Sequence, residues 1–310
     1  MIHRFSPWLA FALGCSAVVF AGCPEKSPLV KEDPVLTEDE ALFQAGLELY
    51  QAEPADYAGA QVKFDELVES FPESARHDNA GYLGGRSRYE QDAYADAITA
   101  LEAMRAAHAD SPFLSSAAYF TGRSRFELGD FGAAIVDFNV AANADATYAD
   151  NASYYIGRAN YEAGLFAEAA AAFDVFEAAY PDSSYVDNGA YYHGRAFFDV
   201  DDFTQARPQF ERIAVIVAAS GPSIYADNGV YYSARSSYAL GEFPLALTGF
   251  DAVIADFPTS QYVDNSMYYK VRTLVDQGLC DEAQTALTEM QVQFPASPDI
   301  GRATNYAAGC

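Results

Sequence analysis

Basic residues are scarce in this chain. Its 310 residues include 18 lysines and arginines against 44 aspartates and glutamates, which gives a formal net charge of −26 at pH 7. A surface with this charge repels phosphate backbones and anionic lipid headgroups, so we expect no binding to nucleic acid or to a membrane through bulk charge. The excess of acid is typical of a soluble protein surface that repels copies of itself.

Residues and motifs for catalysis are also missing. His77, His108 and His193 show no metal-ligand spacing with cysteine or with each other. The sequence contains no HExxH, no GxSxG and no glycine-rich phosphate loop. Carboxylates are abundant, but they stand at helix-cap and surface positions, where solvation is their expected role. We therefore predict no enzyme, no metal and no cofactor.

The longest apolar stretch lies at the N terminus, from Phe5 to Phe20, and closes with the residues Ala21-Gly22-Cys23. A short apolar run that ends in small residues and a cysteine is typical of an export signal. The pattern resembles a bacterial lipoprotein signal. That resemblance implies that residues 1–22 are removed, that Cys23 carries the lipid anchor and that 23–38, rich in proline and charge, form a flexible tether. An uncleaved signal anchor is the alternative.

No aspartate follows Cys23, where the resembled lipoproteins often carry an inner-membrane retention signal. We therefore expect the protein at the outer membrane, facing the periplasm, with display at the cell surface as the alternative.

Beyond the tether, one cassette of Asp-Asn, paired aromatics, a small residue and Arg recurs. The units begin near residues 39, 78, 114, 150, 187, 227 and 264, so successive starts lie 36 to 40 residues apart. In the copy at Asp150, the aspartate is expected to cap a first helix, and Gly164 to end it in the left-handed conformation. Apolar residues at helical spacing then predict a second helix, which Pro181 ends. Each unit is predicted as a helix hairpin stabilised by its neighbours.

Small, aromatic and proline residues stand at fixed positions of the unit, as at Gly157, Ala169, Phe173 and Pro181. This pattern resembles the tetratricopeptide repeat, although aromatics such as Tyr155 replace the tryptophan of that family. The resemblance implies an all-α fold, an α-solenoid of about seven tetratricopeptide-like hairpins over 39–297 in a right-handed superhelix, with 298–310 as a C-terminal cap.

Among such proteins, a period near 37 behind a lipoprotein signal resembles two periplasmic groups. These are the outer-membrane β-barrel assembly lipoprotein and the Tol–Pal-associated cell-division coordinator. The implied function is a scaffold or adaptor for other envelope proteins or extended peptides, attached to the membrane by its N-terminal lipid. The alternatives are a component of a barrel-assembly complex and a periplasmic carrier of peptide or glycan fragments. The oligomeric state stays open.

The most regular polar feature is an arginine in the first helix of six units: Arg86, Arg123, Arg158, Arg195, Arg235 and Arg272. Helical spacing places tyrosines on the same face, namely Tyr154, Tyr161, Tyr191, Tyr231 and Tyr268. In the resembled repeats this face lines a concave groove. The sharper interpretation is a groove that binds an extended acidic peptide or a C-terminal carboxylate. The structural interpretation is self-neutralisation, because an acid follows four residues later in five copies, Glu90, Glu127, Glu162, Asp199 and Asp276, with Ala239 as the exception.

Two cysteines, Cys280 and Cys310, remain after export and lipidation. A short closing helix that runs back along the last unit would bring Cys310 toward Cys280. In an oxidising periplasm we predict a disulfide between them, with two free thiols as the alternative.

Overall fold

The computed structural model describes residues 36–143 and 147–310, and all regular secondary structure in these two ranges is α-helical. The expected signal segment, the lipidated Cys23 and all but the end of the tether lie outside the described residues. Glu38–Cys310 forms one compact unit. No helix in the described ranges has both the length and the apolar character that crossing a bilayer requires.

The described helices form seven consecutive hairpins and one closing helix. The short connections between successive helices make them antiparallel neighbours. In chain order they are α1 (Glu38–Tyr50), α2 (Tyr57–Ser70), α3 (His77–Glu90), α4 (Tyr94–Ala107), α5 (Leu114–Glu127), α6 (Phe131–Ala142), α7 (Ala149–Glu162), α8 (Phe166–Ala179), α9 (Val186–Phe198), α10 (Phe203–Ser220), α11 (Ala226–Ala239), α12 (Phe243–Asp256), α13 (Val263–Asp276), α14 (Cys280–Gln293) and α15 (Ile300–Ala307). The predicted all-α solenoid is confirmed.

In six of the seven hairpins, all but the first, the turn between the two helices contains one residue with positive φ. Gly164 has φ +74°, as the sequence predicts, and Gly129, Gly241 and Gly278 adopt the same conformation. In the second and fifth hairpins aspartates take this place, Asp92 with φ 59° and Asp201 with φ 60°. A short polar side chain tolerates this region better than other non-glycine residues.

In the first, third, fourth and fifth hairpins the two helices approach closely because a glycine faces a phenylalanine. A Cβ added at Gly157 would lie 2.6 Å from a ring carbon of Phe173, and Phe173 itself is fully buried. Phe138 and Phe210 occupy the same place against Gly122 and Gly194. A larger residue at the glycine position would push the helices apart.

Asp150 does not cap its helix as the sequence predicts. Tyr148 occupies the N-cap position of α7 without a side-chain cap, and Asp150 lies within the first turn. Its carboxylate instead accepts a hydrogen bond from Ser183 in the turn that leads to the next hairpin. Asp150 therefore links its hairpin to the following turn, and the prediction that it caps its own helix was wrong.

The same bond recurs at six junctions, which we name the Asp–Ser ladder. Its members are Asp39–Ser74 (2.6 Å), Asp78–Ser111 (2.7 Å), Asp150–Ser183 (2.8 Å), Asp187–Ser223 (2.5 Å), Asp227–Ser260 (2.6 Å) and Asp264–Ser297 (3.0 Å). Because each bond joins one hairpin to the turn before the next, the ladder fixes the stacking of successive units.

The closing helix α15 packs against α13 and α14 and buries Ala303 and Ala307. A disulfide joins Cys280, at the start of α14, to Cys310, with the two Cα atoms 5.5 Å apart. The cross-link holds the end of the chain against the last hairpin.

Candidate binding surface

Each of the six repeat arginines lies between aromatic rings of the two neighbouring hairpins. The Arg158 guanidinium carbon is 5.6 Å from the ring centre of Phe126 in the preceding hairpin and 3.9 Å from that of Tyr192 in the following one. The other five sandwiches are Tyr50–Arg86–Phe120, Tyr89–Arg123–Tyr155, Tyr161–Arg195–Tyr232, Phe198–Arg235–Tyr269 and Tyr238–Arg272–Tyr306. Such contacts stabilise by about 0.5–1 kcal/mol at exposed sites and more when desolvated. We name this column the Arg–aromatic ladder.

The last rung of this ladder comes from the closing helix. Tyr306 lies in α15 and provides the ring that the next hairpin would otherwise supply, with its centre 4.9 Å from the Arg272 guanidinium carbon. The closing helix therefore occupies the place of the first helix of a further hairpin and supplies the aromatic ring that such a helix would contribute.

Four of the five tyrosines expected on an open groove are buried instead. Tyr154, Tyr191, Tyr231 and Tyr268 are 2%, 7%, 4% and 4% exposed. Three of them stack on a tyrosine at the start of the next hairpin, and the ring centres of Tyr231 and Tyr262 are 4.3 Å apart. Helical spacing put these residues on the correct face, but the neighbouring hairpin covers that face. Tyr161 is half-buried and donates a 2.5 Å hydrogen bond to Asp199.

Burial also governs the ionisation of these tyrosines. Desolvation raises the pKa of Tyr154 and of Tyr231 to about 12, although the arginine four residues later opposes the shift. The phenols stay neutral and accept hydrogen bonds from the guanidinium groups, for example from Arg235 to Tyr231 at 2.8 Å. The neutral tyrosine hydroxyls thus help to hold the arginine side chains in place.

Carboxylates neutralise the first four arginines of the ladder. Arg86 pairs with Glu90 (3.4 Å), Arg123 with Glu127 (3.5 Å), Arg158 with Glu162 (2.7 Å) and Arg195 with Asp199 (3.1 Å). The four arginine side chains are between 18% and 29% exposed, so their charge is mostly engaged within the protein. In this part of the surface, the structural interpretation of the arginines holds.

The last two arginines differ. Ala239 stands where the acid would be for Arg235, and the acid expected for Arg272 is engaged elsewhere. Asp276 accepts hydrogen bonds from the Tyr238 hydroxyl at 2.5 Å and the Tyr306 hydroxyl at 2.9 Å. Within the described ranges, no carboxylate comes within 4.0 Å of the guanidinium nitrogens of Arg235 or Arg272. The predicted pair between Arg272 and Asp276 is therefore absent, because tyrosines from both sides claim the carboxylate.

Sequence reasoning also missed what the asparagine of the cassette does. Asn228 donates to the Tyr262 hydroxyl at 3.1 Å, and Asn265 accepts from Tyr231. Both bonds cross from one hairpin to the next. The recurrence of Asn beside Asp signalled a shared role, but not the partner.

Two models of the tetratricopeptide repeat match the sequence, one at residues 82–149 and one at residues 151–183. These two stretches of the chain carry tetratricopeptide repeats. Repeats of this kind generally mediate contacts between proteins and are generally not catalytic. The described residues contain no group of three or more His, Cys, Asp or Glu side chains placed to hold a metal.

Solved structures show the same fold at low sequence identity. The C-terminal part of a repeat-containing protein from Cytophaga hutchinsonii is 17% identical with a TM-score of 0.63, and the match covers 86% of this chain and 97% of that one. A tetratricopeptide repeat protein from Parabacteroides merdae ATCC 43184 is 12% identical with a TM-score of 0.53 over 87% and 98%. PilW, described as a widely conserved type IV pilus biogenesis factor, is 16% identical with a TM-score of 0.54 over 74% and 99%. No curated protein sequence matches the chain.

Proposed function

We propose that this protein is a lipid-anchored scaffold of the bacterial cell envelope, held at the outer membrane and facing the periplasm, that binds extended acidic segments of other proteins. The tetratricopeptide repeats support the scaffold role. The lipoprotein-like residues that end in Cys23, followed by a proline-rich tether, support the anchor. PilW adds a similar fold in a protein described as a pilus biogenesis factor.

The observation that carries the binding proposal is the difference between the two ends of the Arg–aromatic ladder. Four arginines are matched by carboxylates of their own helix, while Arg235 and Arg272 are adjacent in the stack and have none. A guanidinium held between two rings keeps its fork in a fixed orientation, which suits a carboxylate. The surface at α11 and α13 therefore offers two neighbouring positive sites on an otherwise acidic protein.

The binding proposal is tested with a fluorescent glutamate–serine peptide that has a free C-terminal carboxylate, followed by anisotropy. We expect Ala239→Glu to abolish binding while leaving the fold intact, because it installs the acid that other hairpins carry. Arg235→Gln should also abolish binding. The matched control Arg158→Gln should lose comparable stability and still bind, because Glu162 already neutralises that arginine at 2.7 Å. Equal loss of binding in both arginine variants would leave only the structural role.

The anchor is tested separately by metabolic labelling with an alkyne fatty acid in a bacterial host. The parent chain should be labelled and should fractionate with outer membranes. Cys23→Ser should be unlabelled and released into the soluble periplasmic fraction. Labelling that persists in Cys23→Ser, or a parent chain in the cytoplasm, would refute the anchored arrangement without bearing on the peptide site.

The carrier alternative loses part of its basis in the structure. Stacking of sugars needs exposed ring faces, and the tyrosines at 154, 191, 231 and 268 are at most 7% exposed. Crosslinking in the host distinguishes the barrel-assembly alternative, which requires a β-barrel partner near the C-terminal hairpins.

A further inference from the structure

The second hairpin carries a pair of histidines that contact each other. His77 is the first residue of α3, and His108 follows the last residue of α4. His77 Nδ1 lies 2.6 Å from His108 Nε2, and the ring centres are 4.8 Å apart. Both side chains are half-buried, so solvent reaches the pair.

The seventh hairpin fills these two positions with apolar residues. Backbone hydrogen bonds in the turns establish which positions correspond. The carbonyl of His108 accepts from the N–H of Ser111, as that of Phe294 accepts from Ser297. The N–H of His77 donates to the carbonyl of Ser74, as that of Val263 donates to Ser260. In the seventh hairpin Val263 is buried and Phe294 packs against the same core. The seventh hairpin thus folds with no polar group at either place, so the hairpin itself does not require the two histidines.

We propose that His77 and His108 together bind a divalent transition-metal ion, with Cu²⁺ bound most tightly. Imidazole nitrogens are preferred ligands of Cu²⁺, Ni²⁺ and Zn²⁺, and affinity among these metals is highest for Cu²⁺. With metal–nitrogen bonds of about 2.0 Å, two adjacent ligands lie about 2.9 Å apart in a square-planar site and about 3.3 Å apart in a tetrahedral one. In the square-planar case the observed 2.6 Å separation must widen by about 0.3 Å, and both rings must turn so that their lone pairs meet at the ion.

Metal binding replaces the hydrogen bond between the rings. In the metal-free pair one facing nitrogen donates its proton and the other accepts. When the ion binds, that proton moves through solvent to the other nitrogen of the same ring, and both facing lone pairs bind the metal. Water completes the coordination on the exposed side. The two residues that flank His77 in the sequence do not interfere with the ion, because Arg76 pairs with Glu40 and the carboxylate of Asp78 accepts a hydrogen bond from Ser111.

The ion would link the two ends of one hairpin, residues 31 apart in sequence. Because the metal binds only when α3 and α4 are in place, it stabilises the folded hairpin. The expected signature is an increase in thermal stability with one equivalent of Cu²⁺, and no increase with Mg²⁺, which prefers oxygen ligands.

The experiment uses the tag-free full chain carrying His3→Ser, which removes the histidine near the N terminus. The melting temperature should increase with Cu²⁺, less with Ni²⁺ or Zn²⁺ and not with Mg²⁺, and calorimetry should give a stoichiometry of one. The variant His77→Val/His108→Phe copies the seventh hairpin, so it should fold with equal or higher metal-free stability and lose the response.

A matched control is His193→Ser, which copies Ser233 of the sixth hairpin and removes a histidine outside the pair. It should keep the full response to Cu²⁺. No response in the parent chain, or an unchanged response in the double variant, would overturn the proposal.

Discussion

The Asp–Ser ladder makes a prediction that separates a helix cap from a bond between units. Asp227 accepts the Ser260 hydroxyl at 2.6 Å and the Asn228 backbone N–H at 2.9 Å. Ser260 in turn accepts the Tyr262 N–H at 3.1 Å. Replacing Asp227 by alanine leaves the hydroxyl without its charged acceptor at a partly buried junction. Hydrogen bonds to charged groups contribute about 1.5–3 kcal/mol, and partial exposure places this one at about 1–2 kcal/mol.

The assay is a double-mutant cycle of Asp227→Ala and Ser260→Ala, with the free energy of unfolding measured in urea. We expect a coupling of about 1–2 kcal/mol between the two sites, because each single variant already removes the shared bond. The Tyr262 amide should also exchange faster in both. Asp227→Ala paired with Ser183→Ala, at a distant junction, should be additive. If Asp227 acts only through its own helix, the coupling with Ser260 vanishes and the ladder has no energetic role.

Three further predictions follow from the packing. Reduction, or Cys280→Ser, should destabilise α15 by about 3–4 kcal/mol in the chain-entropy model for a loop of this length. Calorimetry with and without reductant measures this, and the reductant should have no effect on Cys310→Ser. Gly157→Ala should cost about 1–3 kcal/mol because its Cβ would lie 2.6 Å from a phenylalanine ring. Gly132→Ala, in open space, should be neutral or stabilising in the same urea titration. Burial raises the pKa of Tyr231 to about 12 from 10.0, so the unfolded chain ionises first and stability falls as the pH rises above about 10. Tyr231→Phe should flatten that fall. A tyrosinate absorbance difference between the folded parent and Tyr231→Phe that titrates near 10 would contradict the prediction.

Local features of the sequence determined the helices. The recurring cassette, the apolar spacing of the second helices and the glycine at 164 each act within one hairpin, and the helix pairs follow from them. The disulfide partners were also accessible from sequence, because only two cysteines remain beyond position 23. The six arginines, and the acids that follow five of them after four residues, could be identified in the same way because they lie on one helix face.

Only the tertiary structure decided which partners these side chains take. Asp150 bonds a serine 33 residues away instead of its own helix end, and Asp276 bonds two tyrosines instead of Arg272. His77 and His108 meet because α3 and α4 are antiparallel, although no short-range pattern connects them. The physical reason is that periodicity fixes the face of a helix on which a residue lies. The offset between stacked hairpins fixes what covers that face, and the offset depends on packing summed over neighbours.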